Sequence, residues 1–101
     1  MLIRKAAEDD YGEILKLNQK DVEMLSHLDR NMLLKMDELS ELFDVVEMDG
    51  KIVAFVIAFS DGCEYWSDNY KWFDEKYSNF IYIDRIVIDE NYRKCGLAAK
   101  L

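Results

Sequence analysis

Two hydrophobic periods alternate along the chain. Leu2-Ile3-Arg4-Lys5-Ala6 reads as a short first strand. From about residue 9 to residue 20, Tyr11, Ile14, Leu15 and Asn18 share one helical face with Leu17 beside it, the spacing of an amphipathic helix. Glu8, Asp9 and Asp10 load its start with acids, and Asp10-x-x-Glu13 fits a capping box. Gly12 is the one residue that weakens this helix. Val22, Leu25, Leu28, Met32, Met36 and Leu39 continue at helical spacing. The polar cluster Ser26-His27-Leu28-Asp29 interrupts them, and Asp29 is placed to cap a second helix ending near Leu39.

Strand periodicity then takes over. Leu42 to Met48 and Lys51 to Phe59 flank the dipeptide Asp49-Gly50, which predicts a hairpin closed by a tight primed turn. The second of these strands is apolar on both faces, as is Phe80 to Ile88. Each therefore reads as a strand inside a sheet covered on both sides. Between them, Tyr65, Trp66, Tyr70, Trp72, Phe73 and Tyr77 crowd one short segment, with Ser67 placed to cap a helix over about 68–77. This aromatic insertion is either a lid or acceptor pocket, or a helix packed over one end of the sheet. The chain has no proline, no repeat and no low-complexity tract to mark a domain boundary. It reads as a single α/β (α+β) domain over residues 1–101, with a mixed, mostly antiparallel sheet flanked by helices.

Composition narrows the function. Half of the 101 residues are apolar, enough for one small core. A net charge of −8 and a pI near 4.5 argue against nucleic acid or an anionic membrane as partner. The same acidity either draws in a cationic amine or only keeps the protein soluble. No apolar run reaches the length of a membrane span, and Met1-Leu2-Ile3-Arg4-Lys5 does not read as a signal peptide. Two cysteines and one histidine form neither a disulfide framework nor a metal site, so free thiols and a cytoplasmic location are expected. Lone His27 reads as structural or solvent-facing rather than catalytic. The methionines Met24, Met32 and Met36 read as gap-filling core, with a ligand groove as the alternative.

The chemistry sits at the end of the chain. The strand through Ile88 runs by a short polar turn into Arg93-Lys94-Cys95-Gly96-Leu97-Ala98, the start of a helix. Strand, turn, glycine and helix start aim backbone N–H groups at an anion. Arg93 and Lys94 add charge there, and Gly96 allows close approach. Neither of the two common phosphate loops occurs anywhere in the chain.

The pattern Arg-x-x-Gly-x-Ala after a buried strand resembles the acetyl-CoA pyrophosphate loop of the GNAT superfamily of N-acetyltransferases. The order strand, two helices, Asp-Gly hairpin and buried strand is similar to the N-terminal half of that fold. Phe80 to Ile88 looks most like members with an aromatic insertion before the fourth strand. The resemblance implies that the backbone of Ile86, Val87 and Ile88 holds the pantetheine arm, and that the amides of Lys94, Cys95, Gly96, Leu97 and Ala98 hold the pyrophosphate with Arg93 beside it. Lys94 stands where the family often has Gly. Cys95 reads as a permissive loop position, with a reactive thiol as the alternative.

The implied reaction is attack of an amine on the thioester of acetyl-CoA, with no metal. It needs a base, donors to polarise the carbonyl and an acid for the thiolate. Asp84 is the candidate base, because burial on a strand favours the protonated carboxyl; a structural ion pair is the alternative, and Glu64 and Asp61 stand behind it. Relative to the family pattern the sequence stops inside the helix after the fourth strand, roughly 50 residues short of a typical domain. The tyrosine that usually protonates the thiolate would lie beyond that point. An unpaired edge and an apolar face on the Phe80–Ile88 strand would then favour self-association or a homodimer. A non-catalytic CoA-binding or interaction module, and a small α/β domain with an accidental motif, are the rival expectations.

Overall fold

The computed structural model describes residues 1–20 and 28–95, except for the side chains of 20 and 93–95. Its strands are β1 (Leu2–Lys5), β2 (Leu42–Met48), β3 (Lys51–Ser60) and β4 (Ile81–Ile88), and its helices are α1 (Tyr11–Lys20), α2 (Arg30–Leu39) and α3 (Asp68–Lys76). Short 3-10 turns precede α1 (Glu8–Asp10) and follow β4 (Glu90–Cys95). The four strands form one sheet in the order β1-β2-β3-β4, each pair antiparallel.

Local signals set most of these elements. Asp29 caps α2 by accepting from the Met32 N–H at 2.9 Å, and Ser67 caps α3 by accepting from the Tyr70 N–H. The hairpin turns through Asp49 and Gly50, both at positive φ (54° and 77°), the geometry that a two-residue primed turn demands. The start of α1 departs from the sequence expectation. Asp10 is not its cap but lies in the preceding turn, where its carboxylate accepts from the Ala7 N–H and binds the Arg4 guanidinium at 2.7 Å. Glu13 reaches instead across to β3 and accepts from the Ile52 N–H at 2.9 Å.

One face of the sheet carries the main core. Phe43, Val45, Phe55, Ile57, Phe59 and Val87 pack there against Tyr11, Ile14 and Leu17 of α1 and Leu33 and Met36 of α2. Burying such side chains contributes roughly 1.5–3 kcal/mol each. β3 is buried from Ile52 to Phe59, as its two-faced apolar pattern predicts.

The same expectation fails for β4. It lies at the sheet margin, with no strand beyond it among the described residues, and Ile81, Ile83 and Ile86 are 58%, 55% and 41% exposed. Apolar side chains on both faces of a strand show what it is able to bury against; they do not supply the covering element.

Candidate functional site

The site forms where β4 breaks its own regularity. Ala58 pairs with Ile83 and Ile57 with Arg85, which leaves Asp84 as an extra residue in a β-bulge. In a regular strand consecutive side chains point to opposite faces. The bulge lets Asp84 and Arg85 lie on the same side of the strand. There the Arg85 Nε–H donates to Asp84 Oδ2 at 2.7 Å, with both side chains under a tenth exposed.

Two other elements complete the constellation. The Tyr65 hydroxyl donates to Asp84 Oδ1 at 2.6 Å, so both carboxylate oxygens are engaged. Arg85 Nη1 donates to Asn18 Oδ1 of α1 at 2.8 Å in a fully buried contact. Burial first, and then the bond to Asp84, hold the Tyr65 phenol far above the ordinary tyrosine range. The network joins α1, β4 and the segment before α3. A buried ion pair with both partners hydrogen-bonded avoids the penalty of an uncompensated charge.

The aromatic insertion packs against the sheet, and part of it lines a pocket. Tyr65 stacks on Phe59 with ring centroids 3.9 Å apart, and buried Tyr70 meets Phe59, Tyr65 and Tyr82 edge to face. The Tyr70 hydroxyl donates to the Ser60 carbonyl and accepts from the Cys63 N–H, pinning the loop that leaves β3. Burial and the contact with Cys63 push its pKa up to about 12. These contacts are packing. Trp66, by contrast, keeps 38% of its surface exposed and forms one wall of a pocket of about 460 Å³. Met32 and Met36 of α2 line that pocket too, and Asp84 and Arg85 lie in its surface. Met36 thus serves core and pocket at once.

Past the bulge, Ile86 is exposed, Val87 is buried in the main core, and Ile88 packs with Val46, Ala54 and Tyr92 on the other face. Asp89 ends the strand, accepting from the Asn91 and Tyr92 N–H groups through its carboxylate and its carbonyl. This starts the 3-10 turn that carries the backbone of Arg93, Lys94 and Cys95. Their side chains, and Gly96, Leu97 and Ala98 entirely, lie outside the described residues, as do Met24 and His27. The described residues hold no cluster of three or more metal-ligating side chains, and no helix among them is long and apolar enough to cross a membrane.

Sequence reasoning missed Tyr65, Asn18 and Arg85 as members of the site. Asn18 carried a signal, as a polar residue on the apolar face of α1. Tyr65 carried none beyond its place in an aromatic cluster.

Comparison with known proteins places the fold. The family model described as Acetyltransferase (GNAT) family matches residues 3–101. The crystal structure of a possible acetyltransferase from Clostridium difficile 630 is similar with a TM-score of 0.64 and 27% sequence identity, over 98% of this chain and 64% of that one. This chain therefore spans a little under two thirds of that neighbour's length. No protein of curated function matches it.

Proposed function

Because this chain belongs to the GNAT acetyltransferase family, we propose that it serves transfer of an acetyl group from acetyl-CoA to an amine, with residues 1–101 acting as one domain unit. The observation that carries this proposal is the course of β4. The strand runs from the pocket at Asp84 along the margin of the sheet, where no strand lies beyond it among the described residues, into the turn that leads to Arg93-Lys94-Cys95-Gly96-Leu97-Ala98. An open strand edge offers backbone N–H and C=O groups to an extended arm such as pantetheine. The basic loop offers amides and charge to a pyrophosphate.

In this proposal the amine nitrogen attacks the thioester carbonyl carbon, a C–N bond forms and the C–S bond breaks. Asp84 takes the ammonium proton on Oδ1, with the Tyr65 hydroxyl turning to accept from it. The second nitrogen proton goes to the departing thiolate. The net charge of −8 favours a cationic acceptor over nucleic acid or an anionic membrane.

A second proposal, CoA binding without turnover, is favoured by one observation: both Asp84 oxygens already have partners. Two measurements decide. Acetyl-CoA at a hundredfold over its dissociation constant adds about 2.7 kcal/mol of stability, and an Arg93→Glu, Gly96→Glu variant loses that thermal shift. Absence of a shift in the folded parent chain refutes the donor site. Release of free CoA with an amine panel separates transfer from binding alone.

A further inference from the structure

We infer that Asn18 of α1, which lies outside the pocket lining, is a positioning residue for the proposed acetyl transfer: through Arg85 it holds the Asp84 carboxylate so that Oδ1 is the oxygen offered to the acceptor. The inference rests on that proposal for its chemistry, while the first arm of its test needs no turnover.

Burial comes first. Asn18 is 2% exposed, on the helical face that Tyr11, Ile14 and Leu17 commit to the core. An amide in that setting is costly unless it is hydrogen-bonded, and an apolar side chain of similar size would add to the core instead. What the carboxamide contributes is an acceptor. Its Oδ1 takes the Arg85 Nη1–H at 2.8 Å in a buried contact that spans 67 residues of sequence. Only the oxygen can face a guanidinium, which carries donors and no acceptor.

Arg85 passes that anchorage on. Its guanidinium is planar and rigid, so a bond at Nη1 also fixes the direction of the Nε–H. That N–H meets Asp84 Oδ2 at 2.7 Å. Asp84 needs such a hold. As the extra residue of the bulge, it lacks the alternation that aims side chains along a regular strand. Its two oxygens are consequently unequal. Oδ2 is bound by a cation tied to α1, whereas Oδ1 is bound by the Tyr65 hydroxyl, whose hydrogen can rotate. An incoming ammonium can therefore displace Tyr65 at Oδ1 while Oδ2 keeps the carboxylate in place. A reacting group displaced by a fraction of an ångström loses much of its effect, and Asn18 resists that displacement from the far side of Arg85.

The test compares Asn18→Leu, which deletes the acceptor at similar volume, with Asn18→Asp, which keeps an accepting oxygen. The full chain is labelled with heavy nitrogen, and the Arg85 Nε–H signal is assigned through its bonds to the Arg85 backbone. That proton is expected to exchange slowly with water in the parent and about tenfold faster in Asn18→Leu. Turnover is followed as CoA released from acetyl-CoA, with phenethylamine, spermidine and a lysine-containing peptide as acceptors. Asn18→Leu is expected to lower kcat by roughly tenfold to a hundredfold, with the KM for acetyl-CoA and its thermal shift unchanged. Asn18→Asp should restore both exchange and kcat to within a few-fold of the parent. A residue that only stabilised the fold would lower the thermal midpoint and leave both readouts alone. If Asn18→Leu does not fold, Asn18→Ala, which suits a helix and inserts nothing, takes its place. Unchanged Nε–H exchange in the folded variant overturns the inference, and so does unchanged kcat. If the parent acetylates none of these amines, the acetyl-transfer proposal fails, and Nε–H exchange alone decides whether Asn18 sets the Asp84–Arg85 pair.

Discussion

Tyr65→Phe tests the network at the bulge with a single oxygen atom. The ring stays stacked on Phe59 at 3.9 Å, so apolar burial is unchanged and only the hydroxyl is lost. That hydroxyl donates at 2.6 Å to the Oδ1 of a carboxylate whose other oxygen is bound by Arg85, in a site closed to water on most sides. A hydrogen bond to a charged group contributes about 1.5–3 kcal/mol, and a buried acceptor left alone forfeits its desolvation cost as well. We expect Tyr65→Phe to lower stability by about 2 kcal/mol, which in a domain of this size shifts the thermal midpoint by roughly 8–16 °C. Urea denaturation with an unchanged slope is the assay. Tyr82→Phe is the control, removing a hydroxyl from the same aromatic cluster while leaving both bonds to the Asp84 carboxylate in place. A Tyr65→Phe midpoint within about 0.5 kcal/mol of the parent would refute the reasoning, because changes of that size need no buried partner at all.

Three further outcomes follow from other contacts. Tyr11, Tyr65 and Tyr70 all have raised phenol pKa values, Tyr70 at about 12. The unfolded chain ionises these groups near pH 10, so their contribution to stability is full below that pH and is lost as pH rises through the folded values. Titration of tyrosinate absorbance should show these three of the six tyrosines ionising only as the fold is lost; six ionising together near pH 10 with the fold intact would contradict it. Asp10 has the opposite sign: the Arg4 guanidinium, more than offsetting burial, holds its carboxyl below the usual range. Its contribution is present above the unfolded pKa near 4 and is lost as pH falls through the folded value. Asp10→Asn should be less stable than the parent at pH 7 and equal to it in strong acid, by thermal midpoints across pH. The exposed Ile81, Ile83 and Ile86 on β4 lead us to expect concentration-dependent self-association in light scattering, reduced by Ile83→Lys; a strictly monomeric parent at high concentration counts against it.

What the sequence showed and what it hid divide by range. The Asp29 and Ser67 caps act within three residues, and the Asp49-Gly50 turn needs only two positive φ angles. Such features are written where they act. Asp10 and Glu13 had the spacing of a capping box, but a carboxylate near a helix start serves whichever donor the fold brings closest. Here those donors are Arg4, Ala7 and the Ile52 N–H, the last from a strand 39 residues away. The partner of Asn18 lies 67 residues away, which leaves no local trace.

The bulge is the feature on which the site depends, and reading Phe80–Ile88 as one strand apolar on both faces passed over its trace. Ile81 and Ile83 occupy odd positions and Ile86 and Ile88 even ones, a change of parity within one apolar run. An unbroken strand would put the second pair on the opposite face from the first. With Asp84 as the extra residue, the register aligns Ile81, Ile83, Ile86 and Ile88 with Ser60, Ala58, Val56 and Ala54 on one face. It aligns Tyr82, Arg85 and Val87 with Phe59, Ile57 and Phe55 on the other. The inserted residue also frees the charged pair from strand alternation, so that Asp84 and Arg85 reach the same pocket and each other. Had the parity continued unbroken, burying Arg85 in the main core would have turned Asp84 to the opposite face, away from Tyr65. The isoleucine spacing and the carboxylate in the pocket are therefore two consequences of one inserted residue.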